Sequence, residues 1–267
     1  YKEYKTYYYF MKNQYESILG TDIWKYNKAV KDKSVGQEAI ESVLRQIIQV
    51  KVIGKEAAIE KVQLETDEKE EADYRAKTVF DSIPAKDKQT QGIELKVLSK
   101  IFEENKLAQK MYNVQMGKLK IDYAANTLSA AKVELIYQAA NAKNKETVKN
   151  TMSQILSEVT SSQNSFYTVA KNKTQADAIE YVIGNQDSRT NLAKAVVSLK
   201  KNQTSALIEE KDGFYIAHCI QTNSAALQQQ YRNQLVSEKQ TESFQKTYKT
   251  WSDKFDVKVS KALLAAN

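Results

Sequence analysis

Pro84 is the only proline in 267 residues, and there are seven glycines. Folds rich in β-turns need both residue types, so a chain this poor in them is constrained toward long helices with few breaks. The apolar residues follow that constraint. Tyr1, Tyr4, Tyr8, Met11, Tyr15, Ile18 and Leu19 recur at three- and four-residue steps, which is one stripe of a helix. Tyrosine suits such a stripe because its ring packs while its hydroxyl reaches the rim. A stripe of this kind normally packs a core; left exposed, it offers a surface to an apolar partner.

The same reading extends along the chain. Ser34 caps a second helix whose apolar face is Ile40, Val43, Leu44, Ile47 and Ile48, running past Ala57 toward Val62. Thr66 is placed to cap a third, with Asp67 and Glu68 suiting the positive end of its dipole. That helix stops near Ile83, because Pro84 pushes its predecessor out of helical geometry. A fourth runs roughly from Gly92 to Lys118.

Near Asn126 the texture changes. Residues 132–137 read as a strand, Glu146 to about Ser161 as a helix, and Ile179–Ile183 as a strand. Leu192–Leu199 reads as a short helix, and Leu207–Ile208 and Phe214–Ile220 as strands joined at Asp212-Gly213. After Asn223 a long helix returns, carrying Leu227, Tyr231, Leu235, Phe244, Tyr248 and Trp251, and Phe255–Val259 alternates like a strand. The expectation is an α+β chain in three stretches: helical 1–127, a compact α+β module at 128–223, and 224–267 as a helix and strand that complete the helical lobe.

Composition removes several function classes. The net charge of +7 invites a nucleic-acid reading. The excess is diffuse, however: 22 basic against 20 acidic residues in 1–127, 11 against 9 in 128–223, and 7 against 4 in 224–267. No basic stripe exists to meet a phosphate backbone, so nucleic acid is not expected as a partner. One histidine, His218, and one cysteine, Cys219, exclude disulfide frameworks, histidine triads and most zinc sites, and no metal or cofactor is expected. His218 reads as a structural residue and Cys219 as a small packing residue.

The stretch Asn191–Cys219 resembles the end of a parvulin-type prolyl isomerase domain, whose pattern is F-E-x-A-A-F-x-L-x-x-G-x-[IV]-S-x-P-V followed by G-Y-H-I-I. Ala195, Leu199, Ser205, Ile208, Gly213 and Ile216 fall on framework positions. The two pocket phenylalanines become Leu192 and Val197, and the histidine becomes Tyr215. The family's first strand, [AV]-S-H-I-L, corresponds to Val133–Tyr137, which puts Leu135 at the other histidine position. The strand G-x-L-G-[WF]-[FY] falls on Asp177–Ile183 with Tyr181 at its second glycine, and the pocket methionine corresponds to Ser188.

The bracketing of that module resembles extracytoplasmic foldases of the PrsA/SurA type. Gly20-Thr21-Asp22-Ile23-Trp24 is similar to their G-x-D-x-W, and Leu64–Glu68 to their [IL]-x-[LV]-[ST]-x-x-E run. Trp251 ahead of Val257-Lys258-Val259 is similar to their closing W-…-[VI]-x-[VI]. The resemblance implies a helical chaperone lobe with an inserted parvulin-like domain, unfolded or partly folded clients as partners, and a location outside the cytoplasmic membrane. It also implies a lipid anchor preceding Tyr1, with a homodimer as a candidate assembly. Tyr4, Tyr8, Met11 and Tyr15 are the candidate client-binding residues. With both histidine positions replaced, the expected activity is binding without catalysis. An active isomerase with divergent residues and a surface protein with one dedicated partner stay open as alternatives.

Overall fold

In a computed structural model, residues 1–25, 34–124, 127–161 and 165–259 are described. The change of texture at Asn126 lies outside them. The chain divides into two compact units, one of Tyr1–Lys120 with Gln240–Asn267 and one of Ile121–Lys239.

The first unit is helical. It contains α1 (Lys2–Leu19), a 3-10 turn (Thr21–Lys25), α2 (Val35–Ile59), α3 (Thr66–Ser82), α4 (Ala85–Gln91), α5 (Leu95–Gly117) and residues 240–252 of α9 (Ala225–Ser252). Ser34 starts α2 with a reciprocal cap. Its Oγ accepts from Gln37 N at 3.1 Å, while Ser34 N donates to Gln37 Oε1 at 3.0 Å. At α3 the cap is Glu65 rather than Thr66; its amide donates to Glu68 Oε2 at 2.8 Å, so the glutamate three positions on supplies the acceptor. The helix ends before Ile83 and Pro84, as the sequence predicts.

Two apolar clusters hold this unit. One joins α1, α2 and α5 through Tyr4, Tyr7, Val43 and Ile101; the other joins α2, α5 and α9 through Val52, Ile53, Ala57, Met111 and Trp251. Three ion pairs add to these contacts. Lys51 of α2 reaches Glu3 at 2.8 Å and Glu104 at 2.6 Å, and Lys254 reaches the buried Glu56 carboxylate at 3.0 Å. The segment Phe255–Val259 is not a strand. No strand lies in this unit among the described residues, so its alternating pattern has no ladder to join, and the segment instead lines a groove together with α2.

The second unit is α+β, with β1 (Ala130–Ala139), α6 (Lys145–Ser161), α7 (Phe166–Lys173), β2 (Glu180–Gly184), α8 (Thr190–Ser198), β3 (Ile208–Glu210), β4 (Gly213–Gln221) and the start of α9. The sheet is antiparallel in the order β2-β1-β4-β3. Gly213 makes the β3–β4 turn possible: at φ 155° its added Cβ would lie 2.1 Å from Gln138 O. Strand alternation then sorts the two faces. Ile136, Phe214 and Ile216 face α6 and α7 through Met152, Ile155 and Phe166. Val133, Leu135, Tyr215, Ala217 and Cys219 face α8 through Leu192 and Val196. Leu128 and Ala130 pack on Tyr231 and Leu235, which ties the first turns of α9 to this unit.

Candidate functional site

Of the six pocket positions expected from sequence, the structure gathers four on the α8 face of the sheet. Leu135, Leu192 and Tyr215 are core residues there, and Tyr181 packs against them half-buried. Register explains the meeting: Tyr137 pairs with Tyr215, Leu135 with Ala217, and Val133 with both Cys219 and Tyr181. The other two positions lie elsewhere. Val196, not Val197, is the α8 residue that turns to the sheet, one helical turn from Leu192. Val197 lines a cleft of about 280 Å³ with Ala193 and Lys194, and exposed Ser188 lines another with Tyr231.

The face is filled. Leu135 is 1% exposed, Leu192 0% and Tyr215 2%, which leaves no open cup between them. The Tyr215 ring stacks on Tyr137 with centroids 4.6 Å apart, and the Arg189 guanidinium lies 5.6 Å from the ring centre. Its hydroxyl donates to Asp212 Oδ2 at 2.6 Å. Burial, and then the hydrogen bond to Asp212, push the Tyr215 phenol far above its ordinary range, so it stays a neutral donor. Burial likewise raises the Tyr137 phenol, whose hydroxyl donates to Asp212 O at 3.1 Å.

Arg189 is equally committed. Its Nε donates to Asp187 Oδ1 at 2.9 Å and a terminal nitrogen to Oδ2 at 2.7 Å, a bidentate pair that raises the guanidinium's pKa. His218 is on the opposite face, stacked on Phe166 at 5.3 Å, with its Nδ1 2.9 Å from Thr204 Oγ1. Burial holds its pKa below the usual imidazole range. Cys219 faces the Tyr215 side and is buried. Among the described residues no group of histidine, cysteine and carboxylate side chains is placed to hold a metal.

Tyr137, Asp187, Arg189 and Asp212 surround Tyr215 without having been picked out from sequence. The Asp187-Ser188-Arg189 spacing is a readable local pair, and Asp212 stands three residues before Tyr215; Tyr137 is brought in only by strand register.

The helical unit holds a different kind of site. A cleft of about 520 Å³ opens between α1, α2, α3 and α5, lined by Tyr7, Phe10, Met11, Tyr15, Leu98 and Phe102 among others. None of its lining residues is charged; Gln14, Ser42, Gln46 and Asn105 supply the polar groups. The four candidate client residues divide here. Met11 and half-buried Tyr15 line the cleft, and Tyr15 stacks on Trp24 at 5.8 Å. Tyr8 packs half-buried beside the cleft's cluster, while Tyr4 is 5% exposed and belongs to the core. Tyr7 and Phe10, one turn away, were missed because they fall between the positions of the stripe.

Residues 129–221 match the family model of the rotamase PPIC-type PPIASE domain. That segment is a PpiC-type, parvulin domain. Along most of its length the chain is similar to foldases of the PrsA/SurA type. PrsA from Bacillus anthracis is 15% identical over 81% of this chain and 99% of its own, with a TM-score of 0.43. PrsA from Streptococcus pneumoniae is 14% identical over 86% and 90%, at 0.35. A SurA-like chaperone of Campylobacter jejuni is 12% identical over 89% and 92%, at 0.31. No curated protein sequence matches the chain. Among the described residues, no helix is long and apolar enough to cross a membrane.

Proposed function

We propose that this chain is an extracytoplasmic folding chaperone that works by binding client polypeptides and whose parvulin domain has lost catalysis. The observation that carries the reading is the filled α8 face. Prolyl isomerisation requires lowering a rotation barrier of roughly 18–20 kcal/mol, by holding the proline ring in an apolar cup and favouring the twisted amide with placed polar groups. Here Leu135, Leu192 and Tyr215 occupy that space themselves. The nearest polar groups, the two phenols and Arg189, are already bonded to Asp212 and Asp187.

The apolar, uncharged cleft of the helical unit supports the binding half of the proposal. Large rings and a methionine adapt to many sequences, which suits broad recognition of unfolded chains. The test is suppression of thermal aggregation of a model client. Wild type and Tyr74→Glu, a change on the exposed face of α3, are expected to suppress it, and Met11→Glu/Tyr15→Glu to lose at least half the effect. Equal suppression by all three would remove the cleft from the account.

A further inference from the structure

Helix α1 ends at Leu19, and the turn that follows brings a second aromatic ring to the cleft of the helical unit. Gly20 has φ 76° and ψ 164°, a region open essentially to glycine alone, and its amide donates to Glu16 O at 2.9 Å. The chain reverses there, so Thr21–Lys25 folds back along α1 and against α2. Asp22 and Lys25 pair within the turn at 2.6 Å. This reversal lands Trp24 on the end of α1. Its ring stacks on Tyr15 with centroids 5.8 Å apart and planes at 27°, and its Nε1 donates to Glu16 Oε1 at 2.8 Å. Tyr15 lines the uncharged cleft and Trp24 does not, so the indole braces the Tyr15 ring from outside the lining.

Tyr15 has need of a brace. Tyr7, Met11 and Ile101 line the same cleft and also pack in the cluster of α1, α2 and α5, whereas Tyr15 is a member of neither cluster of this unit. A half-buried ring near a helix end samples more than one staggered rotamer unless a neighbour selects among them. An aromatic stack makes that selection by roughly twofold to tenfold. We propose that Trp24 is a positioning residue of the cleft: it presets Tyr15 in the orientation that receives an apolar segment of unfolded polypeptide, and the conformation of Gly20 is what brings it there. The identity of the ligand rests on the chaperone reading above; the placement of Trp24 against Tyr15 and Glu16 does not. A wall preset in this way spares the ligand the cost of ordering one side chain, worth about twofold to tenfold in affinity.

The test uses the full chain and reduced, carboxymethylated ribonuclease A, an unfolded chain without tryptophan. With that probe fluorescein-labelled and read by anisotropy, Trp24→Ala is expected to bind about threefold to tenfold more weakly than wild type, with the circular dichroism unchanged. Trp24→Phe keeps a ring against Tyr15 and is expected to stay within about twofold. Gly20→Ala leaves both rings in place and its added Cβ meets nothing within 4 Å, so it acts through the backbone alone, disfavouring the reversal by about fivefold or more. It is expected to weaken binding in the same direction and to move the Trp24 emission to the red before any probe is added. Binding of the unlabelled probe to wild type is expected to lower acrylamide quenching. That change should vanish in Trp24→Phe, which leaves buried Trp251 as the background.

Trp24→Ala that binds as tightly as wild type, or Trp24→Phe that loses as much as Trp24→Ala, overturns the proposal. So does quenching of Trp24 that the probe leaves unchanged, which would make the indole a packing residue of the turn and nothing more. Aggregation suppression by the same preparations separates the two ideas. Wild type that neither binds the probe nor suppresses aggregation removes the chaperone reading and this inference with it; wild-type binding that Trp24→Ala leaves intact removes the inference alone.

Discussion

Replacing Tyr215 by alanine asks whether the α8 face is core or site. The side chain is 2% exposed, stacked on Tyr137 at 4.6 Å and bonded to Asp212 at 2.6 Å. Truncating a buried aromatic to alanine costs about 3–5 kcal/mol through lost transfer and the cavity left behind. Tyr215→Phe keeps the ring and gives up only the hydroxyl's bond. Exposed Asp212 can turn to water, so that change costs about 1 kcal/mol. Both tryptophans, Trp24 and Trp251, lie in the helical unit, so the readout must be local to the sheet. Native-state hydrogen exchange of Gly213–Gln221 serves. Tyr215→Ala is expected to speed exchange of the slowest β4 amides on the order of a hundred- to several-thousandfold, and Tyr215→Phe about fivefold. An alanine variant whose β4 exchanges within about threefold of wild type would refute the reasoning, because it would mean the ring lines a space rather than fills one.

Three further outcomes follow from the packing. Gly184→Ala should destabilise the sheet unit by at least about 1–3 kcal/mol, since the added Cβ would sit 2.4 Å from Tyr231 Cε1 and 2.5 Å from Ser129 O, checked by the same exchange measurement on β2. Lys254→Ala should cost the helical unit more than Glu56→Gln, about 1–3 kcal/mol in urea unfolding followed by tryptophan fluorescence. The first strands a buried carboxylate, whereas the second leaves a half-exposed ammonium that water solvates. Burial pushes the Tyr231 phenol up to about 12 from an ordinary 10.0. The unfolded chain therefore gives up that proton first, and stability should fall as pH rises from about 10 to 12. Tyr231→Phe should flatten the fall over that window, at the cost of the bond that Gln186 N donates to the hydroxyl at 3.0 Å.

The long elements were legible because their signals are local. The Tyr1–Leu19 stripe, the Ser34 cap, the break at Pro84 and the Asp212-Gly213 turn each write themselves into a few adjacent residues. Helices α4 and α7, of seven and eight residues, escaped because two turns are too short for a period to show. Phe255–Val259 misled for the opposite reason: alternation states which side chains share a side, not whether a partner strand exists. The close approach to β2 is at Gly184, where Tyr231 from another element presses on the backbone, and not at Tyr181, which stands at the family's second glycine. The α8 face was legible as far as Leu135, Leu192 and Tyr215. What was not legible is how Tyr137, Arg189 and Asp212 close around Tyr215, since three separate segments must first be folded together.

On the proposed reading, the parvulin domain has kept its fold and lost its chemistry. A protease-coupled prolyl isomerase assay on a panel of X-Pro peptides tests it, with the wild-type chain beside Tyr215→Phe and Leu135→His/Tyr215→His. The account predicts no acceleration over the uncatalysed rate for the wild type or for Tyr215→Phe. Clear acceleration by the wild type that Tyr215→Phe reduces would contradict it, because the phenol would then be acting on substrate and not plugging the place where substrate would sit.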